Sequence, residues 1–128
     1  MSDEWRTPQW LYSLFAGWDD PALPLRTDGL TRAWGPRTYC NPPYSRPGPW
    51  VAKAISEARL GKLIVMLLQN DSSTRWWAAL HEAGAHFLYI GERLHYSEAG
   101  PARFASVLVI LEGRHPAPVV AVGLEEFG

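Results

Sequence analysis

The chain has 128 residues, 47% of them apolar, and 12 basic against 13 acidic side chains leave a formal net charge of −1. That length suits one compact domain with a real core, and the balanced charge argues against tight, non-specific binding of nucleic acid while leaving room for a local basic face. A single cysteine, Cys40, excludes an intrachain disulfide and suits a reducing, cytoplasmic setting, and no apolar run approaches the roughly 18–20 residues that span a bilayer.

The first residues, Met1 to Arg6, are polar and lack the apolar stretch of a signal peptide. Thr7 reads as an N-cap and Pro8 as the first position of a short helix running to Phe15, ended near Gly17. From Trp18 to Pro36 the chain is rich in Asp, Pro and Gly and reads as loop. Arg37–Cys40 is a short strand, which Pro42 and Pro43 must stop. A helix follows from about Pro49 to Leu60, with Trp50, Val51, Ala54, Ile55 and Ala58 on one face and Gly61 as its stop.

Lys62–Leu68 is an unbroken apolar run, the pattern of a strand buried on both faces. The caps in Asp71–Thr74 start a second helix, Arg75 to Ala83, which stops at Gly84. His86–Ile90 and Ala105–Leu111 are further strands, with a short one at Arg93–Tyr96 and an edge strand at Pro118–Val122. Strand, helix, strand, helix, strand predicts parallel pairing, and the later strands, without a helix between them, predict an antiparallel end. The result is a small α/β sandwich. Its ligands belong at the carboxyl edge of the strands, where the loops Asn41–Tyr44, Gln69–Thr74 and Gly91–Arg93 emerge.

Asn41-Pro42-Pro43-Tyr44 is the segment with the clearest chemistry. The lone pair of an exocyclic aromatic amine is delocalised, so the nitrogen is a poor nucleophile. Two acceptors on its two N–H groups favour a more tetrahedral nitrogen and aim the lone pair at a methyl donor. The Asn41 oxygen supplies one acceptor and the Pro42 carbonyl the other, with the proline pair fixing the backbone direction. Tyr44 offers a flat face for a ring. Such a site works by positioning. The competing structural reading is a Pro-Pro turn with an Asn cap. The seven tryptophans divide between the same two kinds of explanation, core filling and pocket walls.

With those residues in hand, the chain resembles the phage-type DNA N-6-adenine methyltransferases (Dam-like). The resemblance runs from Thr7 to about Leu111, with the elements in the family's order. Thr7-Pro8-Gln9-Trp10-Leu11 is similar to the opening T-P-x-x-L, and Asp20-Pro21-Ala22 to the first cofactor motif. Asp28-Gly29-Leu30 with Trp34 is similar to D-G-L…W, and Asn41–Ser45 matches N-P-P-Y-S. Trp50-Val51 with Lys53-Ala54, Ser72–Trp76, Arg93–Tyr96 and Ser106–Val109 resemble the later elements.

The resemblance implies a Rossmann-like methyltransferase sheet with a reduced N-terminal half, S-adenosylmethionine as donor and adenine N6 in DNA as acceptor. It implies that Thr7 and Pro8 pack beside the methionine moiety, that Asp20 and Pro21 lie in the cofactor motif, and that Asp28 accepts from the cofactor's adenine. Asn41 faces both donor and substrate. Restriction evasion is the role the phage family suggests. The chain departs from the family in its short Asp20–Asp28 interval, in lacking a Gly-rich loop before Asn41, and in Gln69, where proline is usual. Asp19 is an alternative to Asp20.

Adenine within a duplex must be flipped out to be reached. Tyr44, Ser45 and Trp76 are candidate base contacts, and Arg46, Arg75, Arg93 and Arg103 candidate phosphate contacts. Trp77 is expected in the core. With no room for a large target-recognition domain, specificity is expected to be loose, or shared across a homodimer. Glutamine methylation in proteins, cytosine N4 methylation and an inactive binding module are the rival readings. Histidines 81, 86, 95 and 115 show no metal-ligand spacing, and no Ser-His-Asp arrangement or P-loop stands out.

Overall fold

The computed structural model describes residues 7–22, 27–90 and 105–113. The elements are α1 (Gln9–Tyr12), continued as a 3-10 turn over Ser13–Phe15, a 3-10 turn at Thr27–Leu30, β1 (Arg37–Cys40), α2 (Pro47–Ala58), β2 (Leu63–Gln69), α3 (Arg75–Glu82), β3 (His86–Tyr89) and β4 (Ser106–Glu112). The expected short strand at Arg93–Tyr96 and edge strand at Pro118–Val122 lie outside the described residues.

The four strands form one mixed sheet in the order β1-β2-β4-β3. β1 and β2 are parallel, and β4 runs antiparallel to both β2 and β3. β3 is therefore parallel to β2 but separated from it by the reversed strand. The expected antiparallel end is thus a reversed strand set one place in from the edge. Outside β1, Asp19 adds a single parallel bridge to Thr38, with Asp19 N donating to Arg37 O and Tyr39 N donating to Asp19 O.

The alternation of side chains across the pleat builds two cores. Cys40, Ile64, Met66, Leu68, Val107, Val109 and Leu111 face α2 and α3. Tyr39, Val65, Leu67 and Leu108 face the N-terminal segment, packing with Leu11, Tyr12, Phe15 and Trp18. This explains the unbroken apolar run in β2: both faces are covered.

α2 presents Trp50, Val51, Ala54, Ile55 and Ala58 to the core, as its periodicity predicts. It begins two residues earlier than expected, at Pro47, because a first helical turn tolerates proline's missing N–H. Gly61, at φ 96°, closes the turn behind it. Thr74 caps α3 by accepting from Trp77 N at 3.3 Å, and Trp77 is buried.

Thr7 does not cap α1. Pro8 is the cap residue, with no side-chain cap bond, and its carbonyl accepts from Leu11 N and Tyr12 N. The threonine hydroxyl is engaged across the fold instead.

Two features hold the loop over residues 27–36 against α2. A Cβ on Gly29 would meet Pro21 O at 2.3 Å and the Trp50 ring at 2.8 Å, so only glycine permits that approach. Trp34 donates its indole N–H to Gly29 O at 2.6 Å and stacks on Trp50. At the opposite edge of the sheet, buried Glu57 accepts from Trp34 N at 3.0 Å and pairs with Lys62 and with Lys53 at 3.1 Å. Burial alone would push its carboxyl up, but the bonds from Lys62, Trp34 N–H and Lys53 outweigh it and bring the pKa down from 4.5 to about 2.

Candidate active site

Because β1 and β2 are parallel, the chain leaves both at the same edge. Asn41 follows β1, Asn70 and Asp71 follow β2, and Asp20 follows the one-residue bridge at Asp19. β3 ends at the same edge, where Ile90 N bonds Ser106 O. The expected gathering of loops is present for the first two. Residues 91–93 lie outside the described residues.

Tyr39 and Asn41 are two residues apart and point to the same side of β1, toward the N-terminal segment. The Asn41 side-chain nitrogen donates to Thr7 Oγ1 at 3.2 Å, and Thr7 Oγ1 lies 2.7 Å from the Tyr39 hydroxyl. Tyr39 is only 1% exposed, stacked on Phe15 at 4.5 Å between centroids and met edge-on by Tyr12 at 5.9 Å. The carboxamide of Asn41 thus has its NH2 end tied to the N-terminal segment.

Pro42 is buried, and the following turn takes the Pro43 carbonyl, which accepts from Arg46 N at 3.2 Å. Among the described residues no backbone N–H bonds the Pro42 carbonyl. Tyr44 is half-buried, and burial followed by the nearby Asp71 carboxylate holds its phenol above the ordinary range. Asp71 is itself fixed by Gln69 Nε2 at 3.1 Å and Ser73 Oγ at 2.9 Å. The other side-chain atom of Gln69, Oε1, is a buried acceptor with no hydrogen-bond partner among the described residues.

The two neighbouring aspartates have separate roles. Arg32 grips Asp19 with both ends of its guanidinium, at 2.8 and 2.9 Å, and Gly35 N adds a third bond at 2.9 Å. That guanidinium holds the Asp19 carboxyl below the usual range. Asp19 is therefore a loop anchor. Asp20 accepts from the Tyr12 hydroxyl at 2.7 Å, and burial pushes its carboxyl up. The phenol of Tyr12 is pushed up to about 12, first by that hydrogen bond and then by burial and the carboxylate charge. Pro21 is fully buried beside Gly29, and the backbone of Asp28 lies in the adjacent 3-10 turn.

At the same end of the fold, Ser45 and Arg46 are exposed between Tyr44 and α2. Arg75 is exposed at the first position of α3, and Trp76 is half-buried, edge-on to Trp77 at 6.0 Å. Both helices begin at the edge that carries Asn41, so Arg46 and Arg75 share that end of the fold. Arg93 and Arg103 lie outside the described residues. Sequence reasoning missed Tyr39 and Tyr12. The spacing of Tyr39 two residues before Asn41 on a strand was the available signal.

The family model for DNA N-6-adenine-methyltransferase (Dam) matches residues 23–111. A protein of Haemophilus phage HP1 (strain HP1c1), named DNA N-6-adenine-methyltransferase, is 33% identical over 108 residues, covering 69% of this chain and 62% of the relative. One of Escherichia phage T1 with the same name is 35% identical over 89 residues, covering 62% of this chain and 37% of the relative. The chain thus spans less than two thirds of the length of either. No solved structure matches it. Asn41, Tyr44 and the helices that follow fall inside the matched stretch, while Thr7 and Asp20 precede it. On this match, the chain belongs to the DNA N-6-adenine-methyltransferase (Dam) family.

Proposed function

We propose that this protein transfers a methyl group from S-adenosylmethionine to N6 of adenine in DNA. The observation that carries the reading is the Asn41 carboxamide, set at the carboxyl end of β1 with its nitrogen tied to Thr7. The family match and the two phage relatives support the adenine assignment. The strand order, with a reversed strand one place from the edge, suits a Rossmann-like methyltransferase sheet whose first strand is reduced to the Asp19 bridge.

The chemistry of the edge suits the donor. Asp20 is a half-buried carboxylate pinned by Tyr12, and Gln69 Oε1 is a buried acceptor that lacks a donor among the described residues. Pro8, Asp20, Pro21 and the turn bearing Asp28 would hold the bound donor next to Asn41, with the Thr7 hydroxyl bonded to Asn41 itself. S-adenosylmethionine supplies a methyl group on a cationic sulfur that departs as a neutral thioether, so the site needs no activated nucleophile.

The chain's own residues then do three things. Asn41 Oδ1 and the Pro42 carbonyl accept the two N–H groups of adenine N6 and aim its lone pair. Tyr44 stacks on the flipped base and offsets part of the unstacking cost, and Trp76 forms a second wall. Arg46 and Arg75, with Ser45 between Tyr44 and α2, meet the DNA backbone, as Arg93 does in this reading. The N–CH3 bond forms as the S–CH3 bond breaks, and the extra nitrogen proton passes to solvent. A homodimer would share target recognition between its two copies, and a cytoplasmic setting follows from the substrate. Among the described residues no helix is long and apolar enough to cross a membrane.

The test is incubation with labelled donor and unmethylated DNA, followed by digestion to nucleosides. N6-methyladenine is expected. Label in N4-methylcytosine, or in protein glutamine and not in DNA, overturns the adenine assignment. The one-residue Asp19–Thr38 bridge favours a second reading, a binding module without turnover. Failure to bind donor at millimolar concentration would support it.

A further inference from the structure

Thr7 lies where the family resemblance implies contact with the donor, yet its hydroxyl is bonded to the catalytic amide and to a buried phenol. An asparagine carboxamide is nearly symmetric in shape but opposite in function at its two ends. Turned one way it accepts from the substrate NH2. Turned the other way it presents a second donor to a donor, and the site fails. Something must choose the orientation.

A threonine hydroxyl carries one proton and two acceptor positions. The Thr7 and Tyr39 hydroxyl oxygens lie 2.7 Å apart, and either can donate across that contact; where Thr7 donates, it can meet Asn41 only as an acceptor. The amide must then turn its NH2 toward Thr7, as it does at 3.2 Å, and its oxygen away. Tyr39 is suited to hold this arrangement. It is 1% exposed, and Phe15 and Tyr12 confine its ring. We infer that Tyr39 and Thr7 are positioning residues: the phenol takes the threonine proton, and the threonine sets the oxygen of Asn41 toward the amine to be methylated. The inference rests on the adenine-N6 reading for its consequence in catalysis, but the orientation itself does not depend on it.

Two measurements test it. In steady-state transfer to an adenine oligonucleotide, Tyr39→Phe and Thr7→Val should each lower kcat by about tenfold, the effect of losing one aligned hydrogen bond, with KM for donor unchanged. The double variant should lose no more than the single ones, because both break one relay. Thr7→Ser keeps the hydroxyl and should restore most of the rate. The side-chain amide signals of Asn41, assigned by their absence in Asn41→Ala, should shift in both single variants by 15N-correlated NMR. That readout needs no turnover, and thermal melting confirms that each variant folds.

Unchanged kcat in both single variants while Asn41→Ala is inactive overturns the inference and leaves the adenine reading standing. A rise in donor KM alone in Thr7→Val also overturns it, since Thr7 would then be a donor contact. If the wild-type chain transfers no methyl group, the adenine reading falls, and the amide spectrum still decides the orientation: signals unmoved by Tyr39→Phe and Thr7→Val overturn it.

Discussion

Asn41 and Thr7 stand 34 positions apart in the chain and share a hydrogen bond of 3.2 Å. The bond joins the loop that leaves β1 to the segment that covers the same face of the sheet. Its consequence is that the N-terminal residues, which precede the family match at residue 23, take part in the site. They do so through packing: Leu11, Phe15 and Tyr12 seat the segment on Tyr39, and Tyr39 sits two residues before Asn41.

Gly29 controls where the turn bearing Asp28 sits. Alanine there would place a Cβ 2.3 Å from Pro21 O and 2.8 Å from Trp50, so backbone and helix must separate. Gly29→Ala is expected to lower stability by about 1–3 kcal/mol, read by urea unfolding, and to weaken donor binding in calorimetric titration. An unaltered unfolding midpoint would show that the turn has slack that this packing does not allow.

Glu57 makes stability depend on acid. Its pKa lies near 2 in the fold against 4.5 when unperturbed, so its stabilisation is complete above pH 4.5 and fades as pH falls toward 2. Glu57→Gln leaves Lys53 and Lys62 without their carboxylate. It should cost roughly 3 kcal/mol at neutral pH and flatten the acid limb of the stability profile. Equal losses at pH 7 and pH 2.5, in denaturant unfolding of both proteins, would separate the acid transition from this residue.

The Tyr12–Asp20 pair is open to spectroscopy. The Tyr12 phenol titrates at about 12 rather than 10.0, so the neutral form is favoured below pH 10 and that advantage is lost as pH rises toward 12. In Asp20→Asn one tyrosine should titrate closer to 10 by ultraviolet difference absorbance. The same variant should weaken donor binding about tenfold, the loss of one bond to a charged group. If the phenol titration does not move, the Tyr12–Asp20 bond is not what sets it.

Tyr44 stacking is a claim about substrate alone. Tyr44→Ala should raise KM for DNA by about ten- to a hundredfold and leave donor affinity as it was, while Tyr44→Phe keeps most of the affinity. A loss of donor binding equal to the loss of DNA binding would place the ring on the wrong ligand.

Much of this architecture was legible in the residues. Arg37–Cys40 was read with its bounds, because the prolines after Asn41 stop a strand. The buried face of α2 followed from spacing, and the cap chemistry of Asp71–Thr74 placed the start of α3, where Thr74 is the residue that caps it. What escaped was long-range. Periodicity tells which face of β4 is apolar, but not that β4 inserts between β2 and β3. Local cap chemistry assigned Thr7 to its own helix, whereas Tyr39 and Asn41, distant in sequence, offered its hydroxyl better partners. Arg32 likewise selected Asp19 as the anchor and left Asp20 to face Tyr12, a choice invisible in two adjacent aspartates.

The most direct measurement is the rate of methyl transfer to unmethylated DNA by Asn41→Ala beside the wild-type chain, with melting curves to confirm that both are folded. On the proposed mechanism, in which the Asn41 oxygen is one of two acceptors for the amine, its removal should cut kcat by roughly a hundredfold or more. A variant that transfers methyl groups within a few-fold of the wild-type rate would show that the nitrogen is not aimed by this side chain, and the mechanism built on the bend at Pro42 and Pro43 would be wrong.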